Sequence, residues 1–147
     1  MIGEAVPTRA FTLHFTARAA DIDVLGHVNN AVWVRWIQDV ATGHWAAFAS
    51  VDEQAALIWV VARHEIDYLK PLLVGERVAG HTWVADAARG ARFDRHMAFV
   101  GDDGKQHLRA RTTWALLDRA SSRPMRVPAA MVARFGLGAA GPSVSAG

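Results

Sequence analysis

Three side chains that could take part in hydrolysis lie close together in the segment DIDVLGHVNN, residues 21–30: Asp21, Asp23 and His27. The asparagine pair that ends this segment is a favoured helix N-cap, so a helix is expected to begin directly after it. The first N–H groups of a helix have no partner within the helix and carry partial positive charge. The segment could therefore place a carboxylate, which activates water or attacks a carbonyl directly, beside an oxyanion site.

The small number of candidate groups in this segment favours a particular substrate chemistry. One carboxylate and one oxyanion site suffice only when the leaving group departs without the help of an acid. Thiols, whose pKa is about 8.5, leave as thiolates more easily than amines or alcohols do. The segment thus favours a thioester over an amide or an ester. The same residue types are also typical of ordinary helix capping, and the pattern alone leaves that alternative open.

Other kinds of catalytic site find little support in the sequence. It contains no cysteine and no G-x-S-x-G segment, so a cysteine nucleophile is excluded and serine catalysis is not expected. The seven histidines form no H-x-x-x-H pair and no cluster with carboxylates of the kind that binds metals. No G-x-G-x-x-G or Walker segment is present. We therefore expect neither a metal ion nor a nucleotide cofactor.

Hydrophobic periodicity predicts the elements that must position this segment. Residues 11–18 alternate apolar and polar side chains, which indicates a strand. From Ala31 onward, apolar residues recur with helical spacing for about five turns, which predicts a helix that is covered on most sides. A loop near residues 50–54 is expected next. Four predicted strands follow, over residues 57–69, 76–86, 92–100 and 107–117.

Turn-forming residues separate these four strands and suggest a meander. Pro71 and Gly75 lie between the first two, Arg89-Gly90 between the next two, and residues 101–104 before the last, all as plausible hairpin turns. We expect an α+β domain in which one antiparallel sheet surrounds one helix. A short helix over residues 128–135, with its proline in the first turn, is predicted to close the domain.

The composition favours a single globular domain. The chain has 147 residues, of which 52% are hydrophobic and 20% charged, so it can bury a core. We assign the domain to residues 1–135 and expect residues 136–147, which are mostly small, to be a flexible tail. The pI is 9.7, but the net charge is only +2 and the arginines are scattered, so no nucleic-acid partner is expected. A smaller polyanion would need only a few of those arginines.

Neither a signal peptide nor a membrane-spanning segment is predicted. The first residues, MIGEAVPTRAFTLHF, lack a basic start followed by a long apolar run, and no uninterrupted run of about 18 apolar residues occurs. We therefore expect a soluble, cytoplasmic protein that does not insert into membranes.

The segment DIDVLGHVNNAVWVRW, followed downstream by EIDYLKPL, resembles the 4-hydroxybenzoyl-CoA thioesterase-like and acyl-CoA thioesterase families of the hot-dog fold. The resemblance covers nearly all of residues 11–118. It implies a long central helix wrapped by a five-stranded antiparallel sheet. It also implies hydrolysis of an acyl-CoA to a free carboxylate and coenzyme A, with no cofactor beyond the coenzyme A of the substrate.

The resemblance further implies roles for residues of the segment. Asp23 would be the catalytic carboxylate, as general base or as nucleophile, with Asp21 as its structural partner. Gly26 would let the backbone approach the substrate, and the backbone N–H near Asn30 would polarise the thioester carbonyl. His27 would lie close to the reacting centre, either as a catalytic residue or as one that stabilises the turn.

Four residues outside the turn are candidates for substrate binding. Trp33 stands where similar proteins commonly have tyrosine, so an aromatic pocket wall is kept but a hydroxyl is lost. Even-numbered residues from 58 to 68 share one face of a strand, which points His64 toward the helix or the acyl pocket, with core packing as the alternative. By the resemblance, Arg89 and Arg92 are candidate contacts for the phosphates of coenzyme A, with a solvated loop as the alternative.

The resemblance also implies a homodimer or homotetramer with active sites at the subunit interface. Six tryptophans are many for this length and fit a large core or a subunit contact. Two other functions stay open at this point. One is a hot-dog hydratase or dehydratase, although the His-Pro-Gly signatures of such enzymes are absent, and the other is a non-catalytic acyl-CoA-binding module.

Overall fold

Five strands and three helices form the part of the chain that the structure, a computed structural model, describes, namely residues 5–85 and 87–136. In chain order they are β1 (Phe11–Thr16), α1 (Asn30–Phe48), α2 (Val51–Ala56), β2 (Leu57–Tyr68), β3 (Arg77–Trp83), β4 (Arg92–Gly101), β5 (Gln106–Asp118) and α3 (Ala129–Phe135). A single turn of 3-10 helix, Ala19–Asp21, follows β1. The predicted long helix, the five strands and the short closing helix are confirmed.

The five strands form one antiparallel sheet in the order β1-β3-β4-β5-β2. Strands β3, β4 and β5 form a meander, as expected. The expected hairpin at Pro71 and Gly75 is wrong, because β3 pairs with β1 while β2 pairs with β5 at the other edge. The connection instead crosses the end of the sheet, where Leu72 is fully buried and its carbonyl oxygen accepts the Val28 N–H at 2.9 Å.

Helix α1 packs on one face of this sheet through the apolar stripe that the sequence predicted. Its buried residues are Val32, Trp33, Trp36, Ile37, Val40, Ala41 and His44. A glycine in β3 allows the closest approach, since a Cβ at Gly80 would lie 2.7 Å from the ring of Phe99 and 3.0 Å from the side chain of Val40. The main core lies between α1 and the strands. None of the helices in the described residues is long and apolar enough to span a bilayer.

Helix α2 occupies the segment that was expected to be a loop. Its N-terminus is a capping box, in which Ser50 Oγ accepts the Glu53 N–H at 3.1 Å and Glu53 Oε1 accepts the Ser50 N–H at 2.8 Å. The carboxylate of Glu53 also binds Arg134 of α3 through two nitrogens, one of them at 2.8 Å. A helix of six residues has few internal hydrogen bonds, and the capping box and the Glu53–Arg134 ion pair stabilise it in addition.

Helix α3 covers a second apolar cluster at the far end of the sheet. Met131 and Phe135 are buried there among residues of β2, β4 and β5. Pro128 is the N-cap of this helix with an extended backbone, so its predicted place in the first turn is wrong by one position. The predicted flexible tail, residues 136–147, lies outside the described residues apart from Gly136, whose backbone forms an isolated bridge with Val84.

Strand β2 contains a bulge that changes which of its residues face the helix. The register with β5 shifts between Val61 and Arg63. Before the shift, Trp59 faces the same side as Leu116, its partner in β5, and after it His64 faces the same side as Thr112. The prediction that all even-numbered residues from 58 to 68 share one face is therefore wrong, because an extra residue in a strand reverses the alternation.

Candidate active site

The segment between β1 and α1 folds into a very small hairpin. Ile22 and Val28 form an antiparallel bridge, the Asp23 N–H donates to the His27 carbonyl at 2.9 Å, and the Gly26 N–H donates to the Asp23 carbonyl at 3.0 Å. Gly26 has φ +80°, a conformation that side chains rarely adopt. Within one protomer, no atom lies within 4 Å of the position that a Cβ would occupy, so glycine is required here by the backbone angle and not by crowding.

The carboxylate of Asp23 is held in place by the hairpin itself. Its Oδ1 accepts the Leu25 N–H at 2.9 Å, which fixes the orientation of the group. Its Oδ2 accepts no hydrogen bond from the described part of the chain, and the residue is partly buried. The arrangement leaves one oxygen of an oriented carboxylate available to a water molecule or a substrate.

Asp21 has a structural role in the same segment. Its Oδ2 accepts the Arg18 N–H at 2.9 Å, and its Oδ1 lies 3.4 Å from the guanidinium of Arg35 on α1. Its backbone carbonyl accepts the Asn29 N–H at 2.9 Å. These contacts join the end of β1 to the start of α1.

The N-terminus of α1 lies directly after the hairpin and offers an unpaired N–H. Asn29 is the N-cap, and its Oδ1 accepts the Ala31 N–H at 2.8 Å. The Val32 and Trp33 N–H groups donate to the Asn29 carbonyl. The N–H of Asn30 donates to no acceptor among residues 5–85 and 87–136, and Asn30 is exposed. This N–H can therefore donate to a carbonyl oxygen that carries developing negative charge, and the 19-residue helix adds its dipole.

The structure places the other predicted site residues at different distances from this turn. His27 is part of the hairpin, and its side chain is partly buried. Trp33 is only 3% exposed and packs edge-on against Trp36 and Phe99 in the core. His64 lies in the middle of β2, where its Nδ1 is 2.8 Å from Thr112 Oγ1, and burial lowers its pKa. Its predicted position on the helix side of the sheet agrees with the register.

The two arginines predicted to contact coenzyme A lie at the opposite end of the sheet. The Asp23 turn follows β1, whose end pairs with the start of β3. Arg89 lies in the turn before β4 and Arg92 is the first residue of β4, so the ten-residue length of β4, about 30 Å, separates the two ends. Arg89 also binds the carboxylate of Asp94 through both terminal nitrogens, at 3.1 and 3.2 Å. One protomer alone does not bring these arginines to the turn, and their role stays a prediction.

Two charged residues of β4 form clusters that sequence reasoning missed. Asp94 is 1% exposed and accepts bonds from Arg89, Arg111 and Thr113. Arg95 donates to His44 Nδ1 at 2.7 Å. The signal was present in the sequence: Arg95 is two residues from Phe93 and from Met97, so in a strand it lies on the same face as these apolar residues.

The described residues contain no group of three or more His, Asp or Glu side chains that could hold a metal ion. At the turn, the oriented Asp23 carboxylate lies beside the N-terminus of α1, an arrangement that suits addition of an activated water to a carbonyl.

Comparison with known proteins identifies the class. A family model described as the thioesterase-like superfamily matches residues 17–135. A thioesterase from Thermus thermophilus, solved with coenzyme A and Zn, is 25% identical, with 84% of this chain and 90% of that chain covered and a TM-score of 0.73. A hypothetical protein from Staphylococcus aureus in complex with CoA is 15% identical, with coverage of 99% and 94% and a TM-score of 0.78. A probable thioesterase from Escherichia coli is 16% identical, with coverage of 86% and 97% and a TM-score of 0.74. No curated protein matches the sequence.

The fold and the family model together place the protein among the hot-dog thioesterases. The chain belongs to the thioesterase-like superfamily, and it is a thioester hydrolase.

Proposed function

We propose that the protein hydrolyses acyl-CoA thioesters, with Asp23 as the catalytic carboxylate and the N–H of Asn30 as an oxyanion donor. The observation that carries this proposal is the pairing of these two groups within one short segment. One oxygen of Asp23 is fixed by the Leu25 N–H and the other is available. The first N–H of α1 has no acceptor among the residues that the structure describes. Coenzyme A is proposed as the thiol because the descriptions of two similar structures name it as bound.

The chemistry needs only these two groups and water. Asp23 Oδ2 removes a proton from water as the water oxygen attacks the carbonyl carbon, and the Asn30 N–H stabilises the resulting oxyanion. When the oxyanion collapses, the C–S bond breaks and coenzyme A leaves as a thiolate, which takes up the proton. In the alternative route Asp23 attacks the carbonyl carbon, the C–S bond breaks and coenzyme A leaves as a thiolate, which gives a mixed anhydride. Water then hydrolyses the anhydride, which restores the Asp23 carboxylate, and its proton goes to the thiolate. Both routes give a carboxylate and a thiol without a further cofactor.

The substrate test is release of free thiol from a panel of aliphatic and aromatic acyl-CoA esters. The proposal predicts saturable thiol release from at least one ester and no hydration of the matching enoyl-CoA. Hydration without thiol release would overturn the proposal in favour of a hydratase. Tight binding of acyl-CoA with neither reaction would overturn it in favour of a binding module.

We further propose that two copies pair through β2 to complete each site. Strand β2 is an edge of the sheet with twelve residues, and Val60 and Tyr68 on it are 40% and 48% exposed. An unpaired edge with exposed apolar side chains is a surface that a second strand can cover. Antiparallel pairing of two β2 strands would bring the Arg92 end of one copy next to the Asp23 end of the other. This arrangement would bring the separated site residues together.

Active-site complementation tests the shared site. Asp23→Asn is expected to be inactive, and Arg92→Ala to have a raised KM for acyl-CoA. If each site takes Asp23 from one copy and Arg92 from the other, an equal mixture that exchanges subunits regains about a quarter of wild-type turnover at low substrate concentration. A mixture that exchanges subunits, as shown by mass measurement, but regains no activity would contradict the shared site. A monomer at assay concentration would contradict the pairing itself.

A further inference from the structure

A second feature of the molecule, away from the Asp23 turn, has the properties of a ligand site. A cavity of about 220 Å³ lies between the C-terminal half of α1, the start of β2 and the start of β4. Its walls include Trp45, Trp59 and Phe93. The rings of Trp45 and Trp59 contact each other edge-on at 6.0 Å, and Trp59 and Phe93 are 6.3 Å apart. Ring contacts of this kind give the cavity a stiff aromatic wall.

Arg95, in the wall of this cavity, has no carboxylate partner among the described residues. Arg95 projects from the apolar face of β4, and its Nη1 donates to His44 Nδ1 at 2.7 Å and to Thr82 Oγ1 at 3.0 Å. Both acceptors are neutral: burial, and then the neighbouring Arg95, lower the pKa of His44 to about 3. Within residues 5–85 and 87–136, no carboxylate binds Arg95, and its Nε and Nη2 have no acceptor.

The nearest acid in the sequence does not neutralise this charge. Asp94 is the preceding residue, but its oxygens accept bonds from Arg89, Arg111 and Thr113. Burial lowers the pKa of Arg95 to about 10, which leaves it a cation at neutral pH. A cation that is partly removed from water is normally paired, because loss of its hydration is costly. A cation that has no carboxylate among residues 5–85 and 87–136, in the wall of an open, aromatic cavity, therefore indicates that a ligand supplies the counter-charge.

A second polar group of the cavity wall also has no partner. The indole N–H of Trp114 is buried and has no acceptor in the described part of the chain, whereas a buried indole N–H usually finds one. The cavity holds the volume of about seven waters at roughly 30 Å³ each. That is enough for one aromatic ring, or a short aliphatic chain, that bears a carboxylate.

We propose that this cavity binds a small carboxylate, with the hydrocarbon part among the aromatic side chains and the carboxylate on Nε and Nη2 of Arg95. Two sources could supply this chemistry: a free acid, or a carboxylate at the distal end of the acyl group of a thioester. The second source rests on the proposed function and on pairing of two copies, whereas the first does not.

Binding of sodium benzoate, with neutral benzamide as the matched probe, tests the proposal. The indole N–H signals of nitrogen-labelled protein, assigned with single Trp→Phe variants, report the site. The proposal predicts that benzoate shifts the signals of Trp45, Trp59 and Trp114 and binds at least about tenfold tighter than benzamide, the gain expected of one charge-assisted bond. Equal affinity for the two probes, or no saturable shift with benzoate, phenylacetate or hexanoate, would overturn it.

Arginine variants assign the preference to Arg95. Arg95→Met keeps a long side chain without the charge and is expected to abolish the preference for benzoate, while Arg95→Lys keeps part of it. Arg77→Met, an exposed arginine at the other end of the sheet, should leave it unchanged. A preference that persists in folded Arg95→Met would contradict the proposal. If that variant does not fold, the comparison of benzoate with benzamide on the wild type still decides.

A kinetic comparison separates the two sources of the carboxylate. If the acyl group occupies the cavity, kcat/KM should be higher for glutaryl-CoA than for pentanoyl-CoA in the wild type, and this preference should disappear in Arg95→Met. If a free acid occupies it, benzoate should bind while the two thioesters react equally well. The binding measurement is repeated on Asp23→Asn, so failure of the carboxylate site and failure of the thioesterase proposal give different results.

Discussion

Replacement of Asp94 by asparagine is expected to cause the largest loss of stability from a single polar substitution in the sheet. The carboxylate is 1% exposed and accepts two bonds from Arg89, two from Arg111 and one from Thr113, with lengths between 2.7 and 3.2 Å. The asparagine side chain would keep one acceptor oxygen and turn an NH₂ group toward a guanidinium. Two arginines on the sheet would then face a neutral group.

The size of this effect follows from the exposure of the partners. Loss of one member of a fully buried ion pair costs roughly 3–5 kcal/mol. The side chains of Arg89 and Arg111 are 54% and 50% exposed, so water can solvate them when the carboxylate is gone. We therefore expect a loss at the low end of that range, about 3 kcal/mol, and a fall in Tm of about 10 °C for a chain of this length.

The pH dependence of stability provides a second test of the role of Asp94. Burial alone would raise the pKa of Asp94, but the hydrogen bonds from Arg89, Thr113 and Arg111 outweigh it and hold the pKa well below its usual range. The stabilisation is therefore complete above the unfolded-state pKa, near 4, and is lost as the pH falls toward the folded-state value. The difference between wild type and Asp94→Asn should be largest at pH 7 and shrink as the pH falls below about 4.

Urea unfolding followed by tryptophan fluorescence measures this difference. The midpoint should fall while the slope with urea stays unchanged, since the surface exposed on unfolding is the same. Asp103→Asn is the matched control, because that carboxylate is exposed and paired with Lys70, and its loss should change the midpoint little. A loss below about 1 kcal/mol for Asp94→Asn, or a difference that grows in acid, would refute the reasoning.

Three further outcomes follow from the structure. Gly26→Ala should lower the free energy of unfolding by about 1 kcal/mol, because alanine is strained at φ +80°. It should also lower thioester turnover at temperatures where the variant is still folded. Unchanged turnover would show that the turn tolerates another shape. Gly80→Ala should cost roughly 1–3 kcal/mol in urea unfolding, because its Cβ would lie 2.7 Å from Phe99, and a neutral result would contradict the close packing of α1 on the sheet. Glu53→Gln should lower Tm at pH 7 but not near pH 2. The bond from Arg134 lowers the pKa of Glu53 to about 2, so the stabilisation by this carboxylate is present above about pH 4 and is lost as the pH falls to 2. An equal loss of Tm at both pH values would refute this prediction.

The elements with strong local periodicity could be predicted from the sequence. The apolar stripe that begins at Ala31 predicted α1, and the alternation of apolar and polar residues predicted the strands, because burial of one face imposes a regular spacing. The turn before α1 and its asparagine cap could be predicted too, since glycine and asparagine mark turns and caps, whereas the Ile22–Val28 bridge within that turn was not predicted. The short helix α2 was missed although Ser50 and Glu53 have the spacing of a capping box, a signal that could have been used.

The features that depend on distant parts of the chain could not be predicted in the same way. Pairing of β2 with β5, and the bulge near Val61, follow from sheet register, which a local pattern does not contain. The resemblance makes Arg89 a candidate contact for phosphates, but its bond to Asp94 forms only when β4 folds and could not be predicted from the resemblance. Arg95 had a visible signal, a charge on an apolar face, but its bond to His44 joins residues of different elements.

The central claim is that the Asp23 carboxylate performs the hydrolysis, and single-turnover thiol release by Asp23→Asn tests it most directly. Asparagine keeps the oxygen that accepts the Leu25 N–H but cannot take a proton from water or attack a carbonyl, so the rate should fall about a thousandfold with the fold unchanged. Asp39→Asn, which alters an exposed carboxylate on α1, should release thiol at the wild-type rate. Near-wild-type release by folded Asp23→Asn would contradict the account.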